Sequence, residues 1–276
     1  MLFNSIEFAF FLPIVFLLYW FVTKGNIKFQ NVLIVIASYT FYGWWDWRFL
    51  LLMLISTLAD YFIGIALSKL SDSRKRKAML WISVLINIGL LVFFKYYNFF
   101  IESFSQTFTL LGMPFEAYIL NVILPVGISF YTFQTLSYSI DVYKGKVTAT
   151  KDIIAFAGFV SFFPQLVAGP IERANDLLPQ FLKKRTFNYS KAVDGLRQIL
   201  WGMFKKVAIA DNCGQYVNYI FEDYSEMAGS TLAIGAILFS IQVYGDFSGY
   251  SYIAIGTARL FGFNLKQNFA FPYFSR

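Results

Sequence analysis

Four polar residues share one face of an otherwise apolar stretch. In 124–143, LPVGISFYTFQTLSYSIDVY, Tyr131, Gln134, Tyr138 and Asp141 recur at i, i+3, i+7 and i+10. At 100° per residue they fall within an arc of about 80°, a single stripe of a helix. Ten residues rise about 15 Å, half the hydrocarbon thickness of a bilayer. Two phenols, an amide and a carboxylate in such a line can wall a polar tunnel or tie helices together by hydrogen bonds, and spacing leaves both readings open. A second group surrounds a break. In 162–173, FFPQLVAGPIER, Gln165, Glu172 and Arg173 flank Pro164, Gly169 and Pro170. An interrupted backbone leaves N–H and C=O groups free to meet a ligand. A third group lies in 242–256, QVYGDFSGYSYIAIG, where Asp246 and Ser248 sit among Gly245 and Gly249. Glycines four apart allow close helix approach. They do not account for a carboxylate beside an apolar span, which needs a cationic or hydrogen-bonding partner or a proton.

The residue types that are missing limit the chemistry. The chain has no histidine, which excludes an imidazole base, a Ser-His-Asp triad and any His-ligated metal site. One cysteine, Cys213, permits no intrachain disulfide or thiolate cluster and reads as a small space-filling residue. No metal site is expected. Asp60 and Lys95 lie inside apolar stretches. Each calls for a partner, and Lys95 is also placed to snorkel. In 193–211, Asp194 and Arg197 stand at i, i+3, and Lys205, Lys206 and Asp211 follow. That pattern reads as a solvated or headgroup-facing helix side.

The elements that must position these groups follow from composition. Of 276 residues, 58% are apolar, 21% aromatic and 14% charged. Soluble chains average roughly 45–50% apolar and about 25% charged. A soluble single-domain enzyme and a disordered chain are both excluded. The formal charge is +7, but the basic residues cluster in short runs between apolar stretches. The positive-inside rule accounts for that arrangement, so no nucleic-acid partner is expected. Spans are predicted over 6–22, 29–45, 49–67, 78–97, 124–143, 153–169 and 229–245, with a further helix over 247–263. Segments 99–111 and 193–211 are helical by pattern, more polar, and suited to the interface. The first apolar run has no basic residue ahead of it and no cleavage site behind it, and reads as a retained span. The basic run 68–77, SKLSDSRKRK, faces the cytoplasm, which puts the N-terminus outside and the Lys144–Lys151 loop inside. A full crossing by 153–169 would place Lys183, Lys184, Arg185 and Lys191 outside. A re-entrant turn at Pro164 and Gly169 keeps them in. The expected fold is all-α and integral to the membrane: one domain, a polytopic transmembrane helix bundle with a re-entrant segment and interfacial helices.

Several strings together resemble a known family. They are Phe94–Phe100 (FKYYNFF), Leu124–Gly145, Phe162–Arg173 and Tyr244–Gly262 (YGDFSGYSYIAIGTARLFG), with Asn268–Tyr273 (NFAFPY) closing the series. Their order and length resemble the bacterial membrane-bound O-acyltransferases, in particular the alginate O-acetyltransferase branch, which is related to the D-alanyl transfer protein of teichoic acid modification. The resemblance covers essentially the whole chain. In that family the segment after NF..PY leads into a Trp-Arg-Arg-Trp-His-like motif holding the histidine regarded as catalytic, and this sequence stops at Arg276. The resemblance therefore implies an N-terminal portion of a longer protein, with no catalytic residue of its own. A second departure is Tyr252, where the branch typically has Asp.

The resemblance also implies a function. The protein would move an acyl group, acetyl by branch, from a cytoplasmic thioester such as acetyl-CoA to a polysaccharide hydroxyl or a relay protein outside, in a bacterial inner membrane and among its lipids. No bound cofactor is implied. Tyr131, Gln134, Tyr138 and Asp141 would line the tunnel. Gln165, Glu172 and Arg173 would shape the re-entrant rim, with Arg173 facing the phosphates of the donor. Asp246 and Ser248 would orient the histidine segment. Two other classes share these features: a polytopic transporter, which also places a polar stripe and a broken helix near mid-membrane, and a non-catalytic membrane scaffold.

Overall fold

A computed structural model describes residues 1–112, 124–166, 169–170 and 172–269. The described residues are helical and contain no strand. The elements are α1 (Ile6–Leu17), wound on as a π-turn over Leu18–Val22, α2 (Ile27–Gly43), α3 (Arg48–Lys69), α4 (Ser73–Leu110), α5 (Ile128–Tyr143), α6 (Ile153–Ser161), α7 (Phe163–Leu166), α8 (Ala174–Leu182), α9 (Tyr189–Met203), a π-helical stretch Phe204–Ala210, α10 (Asp211–Glu222) and α11 (Gly229–Leu260). Three of these, α3, α4 and α11, are long and apolar enough to cross a membrane, and two shorter apolar stretches cover Ile6–Val22 and Ile153–Leu166. This is an all-α integral membrane protein.

Short polar residues start the helices where the sequence offers them. Asn26 caps α2, Asp72 caps α4, Asp152 caps α6 and Asn188 caps α9, each accepting from a backbone N–H of the first turn. These bonds satisfy donors that have no partner within the helix. Gly262, at φ +81°, ends α11. There Phe263 N–H donates to Ala258 O and Gly262 N–H to Arg259 O, the paired closure that a left-handed glycine permits.

Two expected boundaries are absent. Segments 78–97 and 99–111 form one helix, α4, of 38 residues. At 1.5 Å per residue it extends about 57 Å, nearly twice the hydrocarbon core. Polar residues such as Asn98, Glu102 and Ser103 lower its hydropathy, but none interrupts the backbone bonding. Lys95 is therefore mid-helix rather than near an end. It lies about 27 Å along the axis from Lys77, exposed, with its ammonium 5.4 Å from the ring centroid of Tyr96. Segments 229–245 and 247–263 likewise merge into α11, of 32 residues. In the same way, 193–211 belongs to a longer run from Tyr189 to Glu222. The short helix α8, which contains Pro179, was not anticipated.

Three packing devices set the architecture. Asp60 of α3 is fully buried and accepts from Ser83 Oγ (2.6 Å), Asn87 Nδ2 (2.8 Å) and Ser139 Oγ (2.8 Å), which joins α3, α4 and α5 through one carboxylate. The partner that the sequence called for is thus a set of three neutral donors. Second, α6 and α8 lean on α2. Phe163 N–H donates to Ser38 Oγ (3.1 Å), while Asn31 Nδ2 donates to Phe181 O (2.9 Å). Ser38 and Asn31 are about two turns apart on α2. The chain therefore runs along α2 as far as Ser38, turns through α7, and comes back to Asn31.

Third, the run α9–α10 lies antiparallel to α11 along glycines. A Cβ on Gly256 would stand 2.4 Å from Gly195 O, and one on Gly249 would stand 2.9 Å from Gly202 O. The close approach read from Gly245 and Gly249 is present. Across the π-helical stretch Gly249 faces Gly202 and Lys206, and Gly245 faces both Lys205 and Ala210. The ends of α1 and α11 are joined by Trp20 Nε1–H to Leu260 O (2.9 Å) and Tyr19 O–H to Phe261 O (3.0 Å).

Candidate functional site

The π-helical stretch brings two adjacent lysines to the middle of α11. Lys206 Nζ lies 2.7 Å from Asp211 Oδ1 and 2.6 Å from Asp246 Oδ1, with 15% of its side chain exposed. Burial works against its charge, and the two carboxylates more than offset this, so its pKa is raised above 10.5. Asp246 therefore has the cationic partner its position demanded. Lys205, only 8% exposed, has no carboxylate partner among the described residues. Its ammonium sits 4.2 Å from the ring centroid of Tyr252, 5.3 Å from that of Tyr244 and 5.8 Å from that of Trp201. Three aromatic faces take the place of an anion. Tyr252, the position that departs from the resembled family, is the nearest of them. The solvated side expected for 193–211 holds for Asp194 and Arg197, which are exposed, and is corrected for Lys205 and Lys206, which the π-helical stretch directs inward. Asp194 does not pair with Arg197 but with Arg259 of α11.

A second centre adjoins the first. After α11 the chain runs extended along α8, held by residues four apart. Glu172 Oε1 accepts from Lys266 N–H, Asp176 Oδ2 pairs with Lys266 Nζ (2.5 Å), and Gln180 exchanges two bonds with the Asn264 backbone (2.8 and 2.9 Å). Gln267 Nε2 then donates to Tyr252 Oη (3.1 Å), linking this segment to the lysine cluster. Glu172 is buried, and burial raises its pKa despite the Lys266 N–H bond. Its Oε2 has no partner among the described residues. Arg173 is exposed where α8 begins. Ser248 is buried and its hydroxyl has no partner among the described residues.

The stripe on α5 is largely spent on packing. Gln134 Nε2 donates to Phe159 O (2.7 Å), and Gln165 Nε2 reaches the same carbonyl (3.3 Å). Phe159 lies in the last turn of α6, where carbonyls lack partners within the helix, so the two amides cap that end. Tyr138 is buried against the ring of Phe156 (4.7 Å between centroids) and occupies the space left by Gly64. Tyr131 packs edge-on to Tyr42 at 6.5 Å. Asp141 is half-buried near the end of α5. Interhelical bonding, one of the two readings left open by the spacing, is what Gln134 does.

The structure therefore joins Gln134 with Gln165, and Asp246 with Lys206. It places Glu172 on a segment far away in sequence. Lys205, Lys206, Asp176, Gln180 and Gln267 were not recognised as site residues. Only the four-residue spacing of Glu172, Asp176 and Gln180 could have been read beforehand. The final residues of the NFAFPY string lie outside the described residues, apart from Asn268 and Phe269.

An all-α membrane protein with a buried polar line between a π-wound helix and its glycine-packed partner fits the class expected from the motifs. No family model matches the chain. Over its whole length it is 40% identical to a protein named "Probable alginate O-acetylase AlgI" of Pseudomonas aeruginosa, covering 52% of that protein. It is 33% identical to a "Peptidoglycan O-acetyltransferase" of Helicobacter pylori, over 99% of this chain and 56% of that one. A "Teichoic acid D-alanyltransferase" of Bacillus subtilis matches more weakly, at 24% identity over 56% of this chain and 40% of its own length. The chain thus resembles membrane O-acyltransferases, and the alginate O-acetylases are among the proteins it is similar to. It spans about half the length of the curated relatives it matches.

Proposed function

We propose that the whole protein is a multi-pass O-acyltransferase of a bacterial inner membrane. It moves an acetyl group from a cytoplasmic thioester, such as acetyl-CoA, to a hydroxyl of an extracytoplasmic polysaccharide or to a relay protein. The observation that carries this reading is the match over the full chain to a named alginate O-acetylase at 40% identity. The reaction forms a C–O bond as the thioester C–S bond breaks, and the hydroxyl proton leaves with the thiolate. A dry, walled path suits it because water would hydrolyse the thioester.

The roles combine the resemblance with the bonds each side chain makes. Glu172, with Asp176 and Gln180, holds the extended 264–267 segment, which in the resembled family leads toward the histidine motif. The Asp246–Lys206 pair fixes α11 beside it, and the buried Ser248 hydroxyl would help orient the histidine segment. Gln134 and Gln165 hold the end of α6, and the acyl path would run beside Tyr131, Tyr138 and Asp141, the rest of the α5 stripe. Arg173, exposed at the start of α8, faces the donor phosphates. The path of α6 along α2 to Ser38 and back to Asn31 supports a re-entrant segment, which keeps the basic 183–191 run on the cytoplasmic side.

The test supplies acetyl-CoA with a labelled acetyl group to membranes bearing the full gene product and its polysaccharide, and follows label into the polymer. Label in the polymer that depends on this gene supports the proposal. Intact thioester and unlabelled polymer refute it. With the D246N variant, unchanged acetylation removes Asp246 from the machinery.

A further inference from the structure

A cavity of about 360 Å³ lies beside the second centre, sharing Gln180 and Asn264 with it, between the end of α8, the 183–188 connection, the start of α9 and the last turn of α11. Five cationic residues line it: Lys183, Lys184, Arg185, Lys191 and Arg259. Among the described residues one carboxylate, Asp194, pairs with any of the five, and it pairs with Arg259. The Asn188 side chain caps α9 at the cavity wall by accepting from Lys191 N–H. The positive end of a 15-residue helix therefore adds to the field there.

Arg185 is what makes this more than a charged surface. It is 5% exposed, stacked 4.7 Å from the Phe263 ring centroid and 5.8 Å from those of Tyr19 and Phe181. Its Nη2 donates to Asn31 Oδ1 at 2.6 Å, while its bonds to Gln30 Oε1 and Gln180 O are long, at 3.4 Å each. A guanidinium carries five N–H groups, and none of these three acceptors is an anion. A buried cation without a counter-ion is costly. Here it is held by aromatic faces and neutral acceptors, at the wall of a cavity surrounded by three further lysines with no carboxylate partner among the described residues.

We propose that this cavity is a phosphate-binding site, organised by Arg185 and fronted by Lys183, Lys184 and Lys191. Several converging cations and a planar fork suit a group with two or more charged oxygens. Trp20 and Leu260, at the ends of two apolar helices, also line the cavity. A phospholipid headgroup and a soluble phosphate ester can both reach that position. The proposal is independent of acyl transfer, since binding is read directly.

The test uses the full chain purified in a neutral detergent. Adenosine 3′,5′-bisphosphate is titrated calorimetrically. In parallel, retention of phosphatidylglycerol against phosphatidylcholine of equal chain length is read by native mass spectrometry. The K183A/K184A/K191A variant changes exposed side chains and should unfold at the parent temperature. It should weaken whichever ligand binds by about tenfold or more, with a flatter salt dependence. R185K keeps the charge, loses the fork and should also weaken binding. Loss of bisphosphate binding in both variants assigns a soluble phosphate. Loss of a phosphatidylglycerol preference assigns the headgroup. The proposal is overturned if the parent binds neither probe selectively, or if both variants bind as the parent does.

Discussion

Replacing Asp246 by Asn tests the electrostatic centre of the site. The substitution keeps the shape and removes the charge 2.6 Å from Lys206 Nζ. An exposed ion pair is worth about 0–1 kcal/mol, whereas stripping one partner from a buried pair costs about 3–5 kcal/mol. Lys206 lies toward the buried limit at 15% exposure, Asp246 is 29% exposed, and Asp211 remains at 2.7 Å. The cost should therefore be about 2 kcal/mol, roughly a 30-fold change in the folding equilibrium. Thermal unfolding of the detergent-solubilised chain, followed by the fluorescence of its six tryptophans, should show a midpoint about 4 °C or more below the parent. Asp211→Asn should cost less, since that carboxylate is 39% exposed. The decisive comparison is the same D246N change in a K206M background, where there is no ammonium to leave unpaired. D246N should there cost nothing or stabilise. An equal loss in both backgrounds would refute the assignment, because the effect would then come from something other than the pair.

Other outcomes follow from the same geometry. Because the folded pKa of Lys206 is raised above 10.5, its contribution is fully present below that pH and is lost as pH rises through the folded value; unfolding profiles of parent and K206M should converge as that value is passed. Glu172 has a folded pKa above its unfolded value of 4.5, the opposite case for an acid: ionisation in the folded state is penalised, so stability falls as pH rises through the carboxylate range. E172Q should abolish that slope, while E172A, which strips the acceptor from Lys266 N–H, should lower the midpoint below and above that range alike. Removing the Asp60 carboxylate as D60A orphans three buried donors and should cost about 3 kcal/mol or more, D60N distinctly less, as read by the unfolding midpoint. G256A places a Cβ 2.4 Å from Gly195 O and should cost about 1–3 kcal/mol, whereas G89A, with open space around it, should be neutral or stabilising in the same assay.

Class and elements were legible in the residues because burying apolar helices in a bilayer depends on composition and length, both properties of the linear chain. The helices over 6–22, 29–45 and 49–67 needed nothing more. Where one helix ends and the next begins was less legible: α4 and α11 carry polar residues through positions that look like breaks, since a polar side chain leaves the backbone ladder intact. Asp246 could be marked as needing a partner, yet Lys206 is 40 residues away, and it faces α11 because π winding turns it inward. Glu172 could be placed at a break, but its bond to Lys266 spans 94 residues. Gln134 was equally suited to a tunnel wall or an interhelical tie, and the nearness of the end of α6 decided which. In each case periodicity states which face of its own helix a residue occupies. What stands opposite that face depends on how distant segments pack, and that is fixed only when the chain folds.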